Sequence, residues 1–446
     1  MADSTIHKLL IECGIALLVG LLAIGAVAHA GPTSLDADSY AQAARLLAGA
    51  PAGGSEMVAR TLFSFLGPVL GWKNDAAGLI RFYLTAPLIL LLLSAGFAYA
   101  ALRLWRFGRI EAAGAALLVM LATPVAFAFY PGLWLPQTAA IPLTMLGLAG
   151  LAAAAREKDG EGSAGRALPG GFSFISLIVA VAGFGAAAYV LPWMAAVPLS
   201  ILVGELALCH RDIGSLWRVP SKSVRLVALL LPVALAVYLA PPAFVLSIPG
   251  TMAFLYESRF ALGFAAVAIP ALLLLDQHPQ APLLAGAAIV GLLFGTASPA
   301  AAMVCFLLPV AYGIRTLGAL GEQPAWFKAT VFGVALLAAG AGLFSMQGEA
   351  IQIAGLSLMI AAGGVAVAFV YRWPSGLMRL GLLAFLLGGA LVVAAQDLPG
   401  QGAGGPYHYS PLSPGVQQAL QWIGNANPAG TQPRVAVIAP AAAVQL

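Results

Sequence analysis

The chain has 446 residues, of which 61% are hydrophobic and only 9% charged, with a formal net charge of +4. Soluble domains carry about 25% charged residues, so an ordinary soluble enzyme is excluded and an all-α polytopic integral membrane protein is expected. The small basic excess is spread over loops, where it reads as membrane topology and not as a nucleic-acid surface. Cys13, Cys209 and Cys305 have no CxxC spacing and fall in or at the ends of apolar segments, as buried small hydrophobes do.

In chain order, the first apolar run covers about 9–29. It is longer than the core of a secretory signal. Ala28-His29-Ala30 has the spacing of a cleavage site, but an uncleaved first span fits the topology better. The longest connection follows, about 30–77, holding Asp36, Asp38, Arg45, Glu56 and Arg60. Within it, Ala41 to Gly49 reads as a short helix starting near Tyr40, capped by Asp38 or Ser39 and stopped by Gly49 and Pro51. The second half, with Leu62-Phe63-Ser64-Phe65-Leu66, has the pattern of an amphipathic helix on a membrane face. Twelve more apolar spans are drawn at about 78–102, 110–129, 133–155, 172–190, 192–209, 226–247, 260–275, 281–296, 299–314, 329–346, 350–371 and 380–395.

About 13 transmembrane helices therefore make one domain, 1–396, followed by a short extracytoplasmic tail, 397–446. In the tail, Pro414 to Asn425 reads as a short helix and Arg434 to Ile438 has strand character. With the N-terminus in the cytoplasm, 15 of the 21 Lys and Arg residues fall inside. The outside set is Arg45, Arg60, Lys73, Arg81, Arg259 and Arg434. That asymmetry has the sign expected for a cytoplasmic N-terminus and an outside C-terminus in a bacterial inner membrane.

Charge at a membrane edge is costly and is usually kept for a function, which singles out Leu35-Asp36-Ala37-Asp38-Ser39-Tyr40. A carboxylate can accept a proton from an attacking hydroxyl. An Asp-x-Asp pair can instead hold a divalent cation such as Mg²⁺ or Mn²⁺, which would neutralise a leaving phosphate. On an extended segment the two carboxylates share a face, whereas on a helix they diverge, so Asp36 and Asp38 are both candidates. The plainer reading is a solvated loop end with a helix cap. Arg45 suits a phosphate through its guanidinium fork, or simply pairs with Asp38 or sits at the membrane surface. Tyr40 shares its helix. Tyr130-Pro131-Gly132-Leu133-Trp134 with Gln137 marks a later outside turn, where an aromatic is either a belt anchor or a sugar-stacking group. His408, between Tyr407 and Tyr409, can hydrogen-bond sugar hydroxyls or stay inert in a polar tail; His29 is a weaker candidate. No P-loop or GxGxxG pattern occurs in a strand-to-helix setting, so a nucleotide-sugar donor is not expected.

An acidic pair, a Tyr, a small helix and then a glycine in the first outside loop resemble the GT-C superfamily of membrane glycosyltransferases, of the bacterial mannosyl- and arabinosyl-transferase kind. The match covers the first loop well and the remainder as architecture. The resemblance implies sugar transfer from a polyprenyl-phosphate donor to a lipid-linked or cell-envelope acceptor at the outer face, with the catalytic acid in the first loop. It also implies a basic residue in a later outside loop holding the donor phosphate. In Tyr256-Glu257-Ser258-Arg259 that residue is Arg259, with Tyr256 and Glu257 beside it. Its plainer reading is an interfacial arginine paired with Glu257 or snorkelling from the span. The rival class is a non-catalytic membrane protein, either a transporter or a structural subunit of an envelope complex. A transporter needs ionisable groups in mid-span, and those are scarce here. The charge map makes one firm demand: reporter fusions at Gly162 and Gly404 are expected on opposite sides of the membrane, and same-side reporters would break the odd number of spans.

Overall fold

In the computed structural model the described residues are 2–31, 35–47, 49, 53–73, 75–156, 171–208, 220–239, 254–268, 281–295, 297–318 and parts of 387–398. They form α-helices, and no β-strand occurs among them. The helices are α1 (Ala2–Ala30), α2 (Ala37–Leu47), α3 (Gly54–Leu70), α4 (Ala76–Leu104), α5 (Arg109–Met120), α6 (Thr123–Ala126), α7 (Pro136–Arg156), α8 (Gly171–Val190), α9 (Ala196–Leu208), α10 (Pro220–Leu239), α11 (Arg259–Val267), α12 (Ala281–Phe294), α13 (Pro299–Cys305) and α14 (Leu307–Gly318). The expected spans 329–346 and 350–371, the tail helix and strand, and His408 lie outside the described residues.

Among the described residues, three helical segments are long and apolar enough to cross a membrane: Ile6–Ala30, Ala77–Leu104 and Pro136–Ala154. Two bent pairs, α5 with the stretch to Phe129 and α13 with α14, raise that to 5 if each pair is one span. The protein is thus an all-α polytopic membrane protein.

Two spans drawn as continuous are broken, and proline explains both. Proline has no N–H to donate, and its ring clashes with the carbonyl four residues earlier. Pro124 is four residues past Met120, where α5 ends, and the chain turns by 69° into Thr123–Phe129. Pro309 is four residues past Cys305, where α13 ends, and there the bend is 43°.

Helix α4 packs between α1 and α7; α7 packs on α8, α9 on α12, and α14 on both α5 and α11. The α7–α8 crossing is close because it is built on glycine: a Cβ on Gly183 would lie 2.7 Å from the backbone N of Gly147 and 2.8 Å from the carbonyl of Leu143. Such small-residue contacts replace the hydrophobic drive that is missing between helices in lipid. Helix α1 is held more sparsely. Its leucines 9, 10, 17, 18, 21 and 22 are exposed and form a lipid-facing side.

One polar anchor in the N-terminal half of α1 compensates. There Glu12 accepts from Arg103 Nε at 3.0 Å and Nη2 at 2.9 Å, from Arg109 Nε at 2.9 Å and from the Tyr99 hydroxyl at 2.5 Å. Beside it Glu111 accepts from Arg315 Nε at 3.0 Å, and the Arg315 guanidinium lies 4.3 Å from the centre of the Phe107 ring. This arginine end ties α1, α4, α5 and α14 together. Charge-assisted hydrogen bonds at partly buried sites are worth about 1.5–3 kcal/mol. Glu12→Gln, which keeps the shape but removes the charge, is expected to lower stability by about 1–2 kcal/mol, read as a reduced melting temperature in detergent.

Candidate functional site

The opposite end of the bundle is organised by a four-residue turn and one proline. Pro87 lies inside α4, so the carbonyl of Tyr83, four residues earlier, has no helical donor. The N–H of Gly132 supplies one at 3.1 Å. Gly132 can do so because Tyr130-Pro131-Gly132-Leu133 is a type II turn. It is closed by the Leu133 N–H on the Tyr130 carbonyl at 3.1 Å, with Pro second and Gly132 at φ 80°, a conformation that favours glycine.

The first loop docks on that turn. The Asp36 N–H donates to the Gly132 carbonyl at 3.0 Å. The Ser39 hydroxyl accepts from the Trp134 N–H at 2.8 Å, and Gln42 Nε2 donates to the Trp134 carbonyl at 3.3 Å. From α3, the Ser55 carbonyl accepts from the Trp134 indole at 3.2 Å. The N-terminus of α2 is thereby fixed. The Asp36 carbonyl accepts from the Tyr40 N–H at 2.9 Å, and its carboxylate accepts from the Asp38 N–H at 3.0 Å. The helix therefore begins at Ala37, and Asp36 is its cap in place of the expected Asp38 or Ser39.

This geometry separates the acidic pair. Asp36 is 4% exposed, whereas Asp38 is exposed on the first turn of α2. The described residues contain no group of three or more His, Cys, Asp or Glu that could hold a metal ion. Tyr40 is half-buried, and burial raises its pKa and that of Tyr130, so both act as neutral hydroxyls and not as bases.

Arg45 pairs with Glu56 of α3, and not with Asp38, which links the two loop helices. Helix α3 is amphipathic as expected, with Met57, Phe65, Val69 and Leu70 exposed and Ala59 buried. Trp134 is neither a belt anchor nor a stacking platform. Its ring is 1% exposed and packs on Phe82 and Tyr83 at centroid distances of 5.6 and 5.7 Å, leaving no face for a sugar. Gln137 is half-buried, and His29 is exposed. Three oxygens around the turn are buried without a hydrogen-bond partner among the described residues: Gln42 Oε1, Tyr83 Oη and Gln137 Oε1.

Arg259 opens α11. Its Nη1 donates to the Tyr256 carbonyl at 3.1 Å, and its guanidinium lies 4.3 Å from the centre of the Tyr256 ring. With Glu257, Ser258, Leu121, Thr123 and Ala394 it lines a cleft of about 10 Å³, the room of about one water. Neither Asp36 nor Asp38 is among the described lining residues. The two features are joined through the chain: the stretch from Thr123, in the cleft wall, leads into the Tyr130–Leu133 turn that holds Asp36.

No protein-family model and no curated protein matches the chain. Among solved structures it is similar to ArnT from Cupriavidus metallidurans bound to undecaprenyl phosphate. That match has 17% identity and a TM-score of 0.44, and covers 86% of this chain and 78% of the other. It is also similar to the same protein in the apo state, with 17% identity, 88% and 77% coverage and a TM-score of 0.44. A likeness at that distance carries no residue role to this chain.

The geometry of the turn is testable by itself. An L-residue in the left-handed region costs about 1–2 kcal/mol. Gly132→Ala should lower the melting temperature accordingly and expose the first loop to limited proteolysis, while Gly25→Ala, where a Cβ meets nothing within 4 Å, should do neither.

Proposed function

We propose that the protein is a membrane glycosyltransferase of the GT-C kind, moving a sugar from a polyprenyl-phosphate donor to a hydroxyl of a lipid-linked or cell-envelope acceptor. The observation that carries this reading is the Asp36 carboxylate, 4% exposed at the loop end of an apolar helical bundle. An ionisable group at the edge of an apolar bundle is costly and is usually kept for a function. The loop end is then the outer face of a bacterial inner membrane. The arginine end, with Arg103, Arg106, Arg109 and Arg315, faces the cytoplasm, in keeping with the positive-inside rule.

In this reading Asp36 is the general base and Asp38 is not. The acceptor oxygen attacks the anomeric carbon of the donor sugar and passes its proton to Asp36. The bond from that carbon to the phosphate oxygen breaks, and polyprenyl phosphate leaves. A carboxylate offers about four lone-pair sites, so accepting the Asp38 N–H does not prevent Asp36 from accepting a proton. The negative charge of the leaving phosphate would be met by Arg259, whose planar fork matches phosphate oxygens. The donor's tail stays in the bilayer, which supplies binding without protein contacts. Tyr40, Gln42, Tyr83 and Gln137 would serve the sugar and acceptor hydroxyls as neutral hydrogen-bonding groups. Trp134 is a positioning residue that carries the turn.

A second reading, a non-catalytic subunit of an envelope complex, is favoured by one observation: Asp36 already has a structural task as the cap of α2. Asparagine and serine separate the two, because both cap helices as well as aspartate does but neither is a base. The measurement is sugar transfer from a purified polyprenyl-phosphate sugar in proteoliposomes. Asp36→Asn and Asp36→Ser should keep the melting temperature within a degree or two and slow turnover by about 10²–10⁴-fold, while Asp38→Asn stays near wild type. Unchanged transfer in both Asp36 variants would remove Asp36 as the base, and no transfer by the wild-type protein would leave the subunit reading standing.

A further inference from the structure

Helices α3 and α4 end in the same backbone motif, but only α3 ends in the usual residue. The N–H that closes the motif bonds to a carbonyl five residues earlier. The residue just before that N–H takes a left-handed conformation, which favours glycine. At the end of α3 the Trp72 N–H bonds to the Gly67 carbonyl at 2.8 Å, and Gly71 takes the left-handed position at φ 69°. At the end of α4 the Phe107 N–H bonds to the Leu102 carbonyl at 3.0 Å and the Arg106 N–H to the Arg103 carbonyl at 3.1 Å. Here the left-handed position, φ 65°, is taken by Arg106, which is the only non-glycine residue with a positive φ among the described residues. Such a conformation is strained for an L-residue and persists only where its surroundings hold it. Two other arginines do so: Arg315 Nη2 donates to the Arg106 carbonyl at 2.6 Å, and Arg103 Nη1 donates to the Phe107 carbonyl.

Membrane topology alone does not require this arrangement. The positive-inside rule counts basic residues anywhere near a span end, and Arg103 and Arg109 already satisfy it. A glycine at position 106 would relax the turn and keep the topology. What the strain retains is a guanidinium at one spot, exposed and two residues beyond Leu104, where an apolar span closes.

The surroundings of that spot are basic and oily at once. The described side chains at this end of α1, α4, α5 and α14 include five cations, Lys8, Arg103, Arg106, Arg109 and Arg315, and two carboxylates, Glu12 and Glu111. Glu12 is taken up by Arg103 and Arg109, and Glu111 by Arg315, so the surplus is positive. Lys8, Arg106 and Arg109 are exposed. So are the aliphatic side chains Ile6, Leu9 and Leu10 of α1 and Ile110 of α5, two helices that pack together. We infer that the arginine end binds an anionic phospholipid of the surrounding leaflet, its phosphate facing Arg106 and Arg109 and its acyl chains lying along the exposed leucines of α1. A zwitterionic headgroup brings a cation of its own, which the surplus repels. A headgroup with net negative charge, such as phosphatidylglycerol, complements it. Free phosphate matches the arginines but not the aliphatic surface. The inference concerns the end away from Asp36 and holds whether or not Asp36 is a base.

The experiment uses the full-length protein in nanodiscs of phosphatidylcholine, alone or with a fraction of phosphatidylglycerol. Melting temperature is recorded in each, and the lipid kept after mild detergent extraction is identified by native mass spectrometry. The wild type should keep phosphatidylglycerol over phosphatidylcholine and melt higher in its presence, a gain that fades with added salt. Arg106→Gly should keep or raise the melting temperature in pure phosphatidylcholine, because the turn is relaxed, yet weaken phosphatidylglycerol binding by about fivefold, the share of one arginine near an anionic surface. Arg106→Asn, which also tolerates the left-handed region, should behave alike. Arg60→Gln, which removes an exposed arginine of α3, should leave binding unchanged. A melting temperature lowered in both Arg106 variants would make Arg106 a structural group and overturn the inference, as would wild-type phosphatidylglycerol binding in Arg106→Gly. An equal loss in Arg60→Gln would reduce the effect to diffuse charge and overturn the site. No preference of the wild type for phosphatidylglycerol would overturn the inference and leave this face to an acidic segment of a partner protein. Equal stabilisation by inorganic phosphate in pure phosphatidylcholine would assign the arginines to a free anion, overturning the lipid.

Discussion

The loop end of this molecule depends on one carbonyl group. Proline at position 87 leaves the Tyr83 oxygen without its helical partner in the interior of α4, and an unmatched carbonyl in an apolar setting is expensive. Gly132 resolves it, and from that hydrogen bond the arrangement propagates. The type II turn is fixed against α4. Its remaining carbonyl takes the Asp36 N–H, and the backbone and indole of Trp134 take up Ser39, Gln42 and Ser55. The first loop is thus pinned to the bundle by polar contacts in a region where apolar contacts alone distinguish poorly between protein and lipid. The buried position of Asp36 is a consequence of this docking.

The two ends of the bundle use charge differently. At the arginine end, carboxylates and guanidiniums are matched: Glu12 is surrounded by Arg103, Arg109 and Tyr99, and Glu111 by Arg315. That end reads as a clamp. Around the turn, three oxygens are buried without partners among the described residues, namely those of Gln42, Tyr83 and Gln137. Proteins seldom leave such atoms unmatched unless a ligand, ion or water completes them.

Much of this was legible in the sequence. The apolar runs announced an all-helical membrane protein, and the breaks at Pro124 and Pro309 could have been placed from the proline rule alone, had each apolar run not been read as one unit. The amphipathic pattern of α3 and the short helix before Gly49 were visible because both rest on local periodicity and punctuation. The choice between Asp36 and Asp38 was not legible. It depends on which residue meets the Gly132 carbonyl, a partner 96 positions away along the chain. Trp134 misled for a similar reason: an aromatic after a Pro-Gly turn looks interfacial until the loop that buries it is in place.

The account's central claim is that Asp36 and the Arg259 cleft serve one reaction from the same face. The most direct measurement is a cryo-EM structure of the protein in nanodiscs with a polyprenyl-phosphate sugar bound. The account predicts the phosphate against Arg259, with the sugar extending toward the turn so that its anomeric carbon lies within one acceptor hydroxyl of Asp36. Donor density at any other part of the surface, or a sugar separated from Asp36 by the intact, closed first loop, would contradict it.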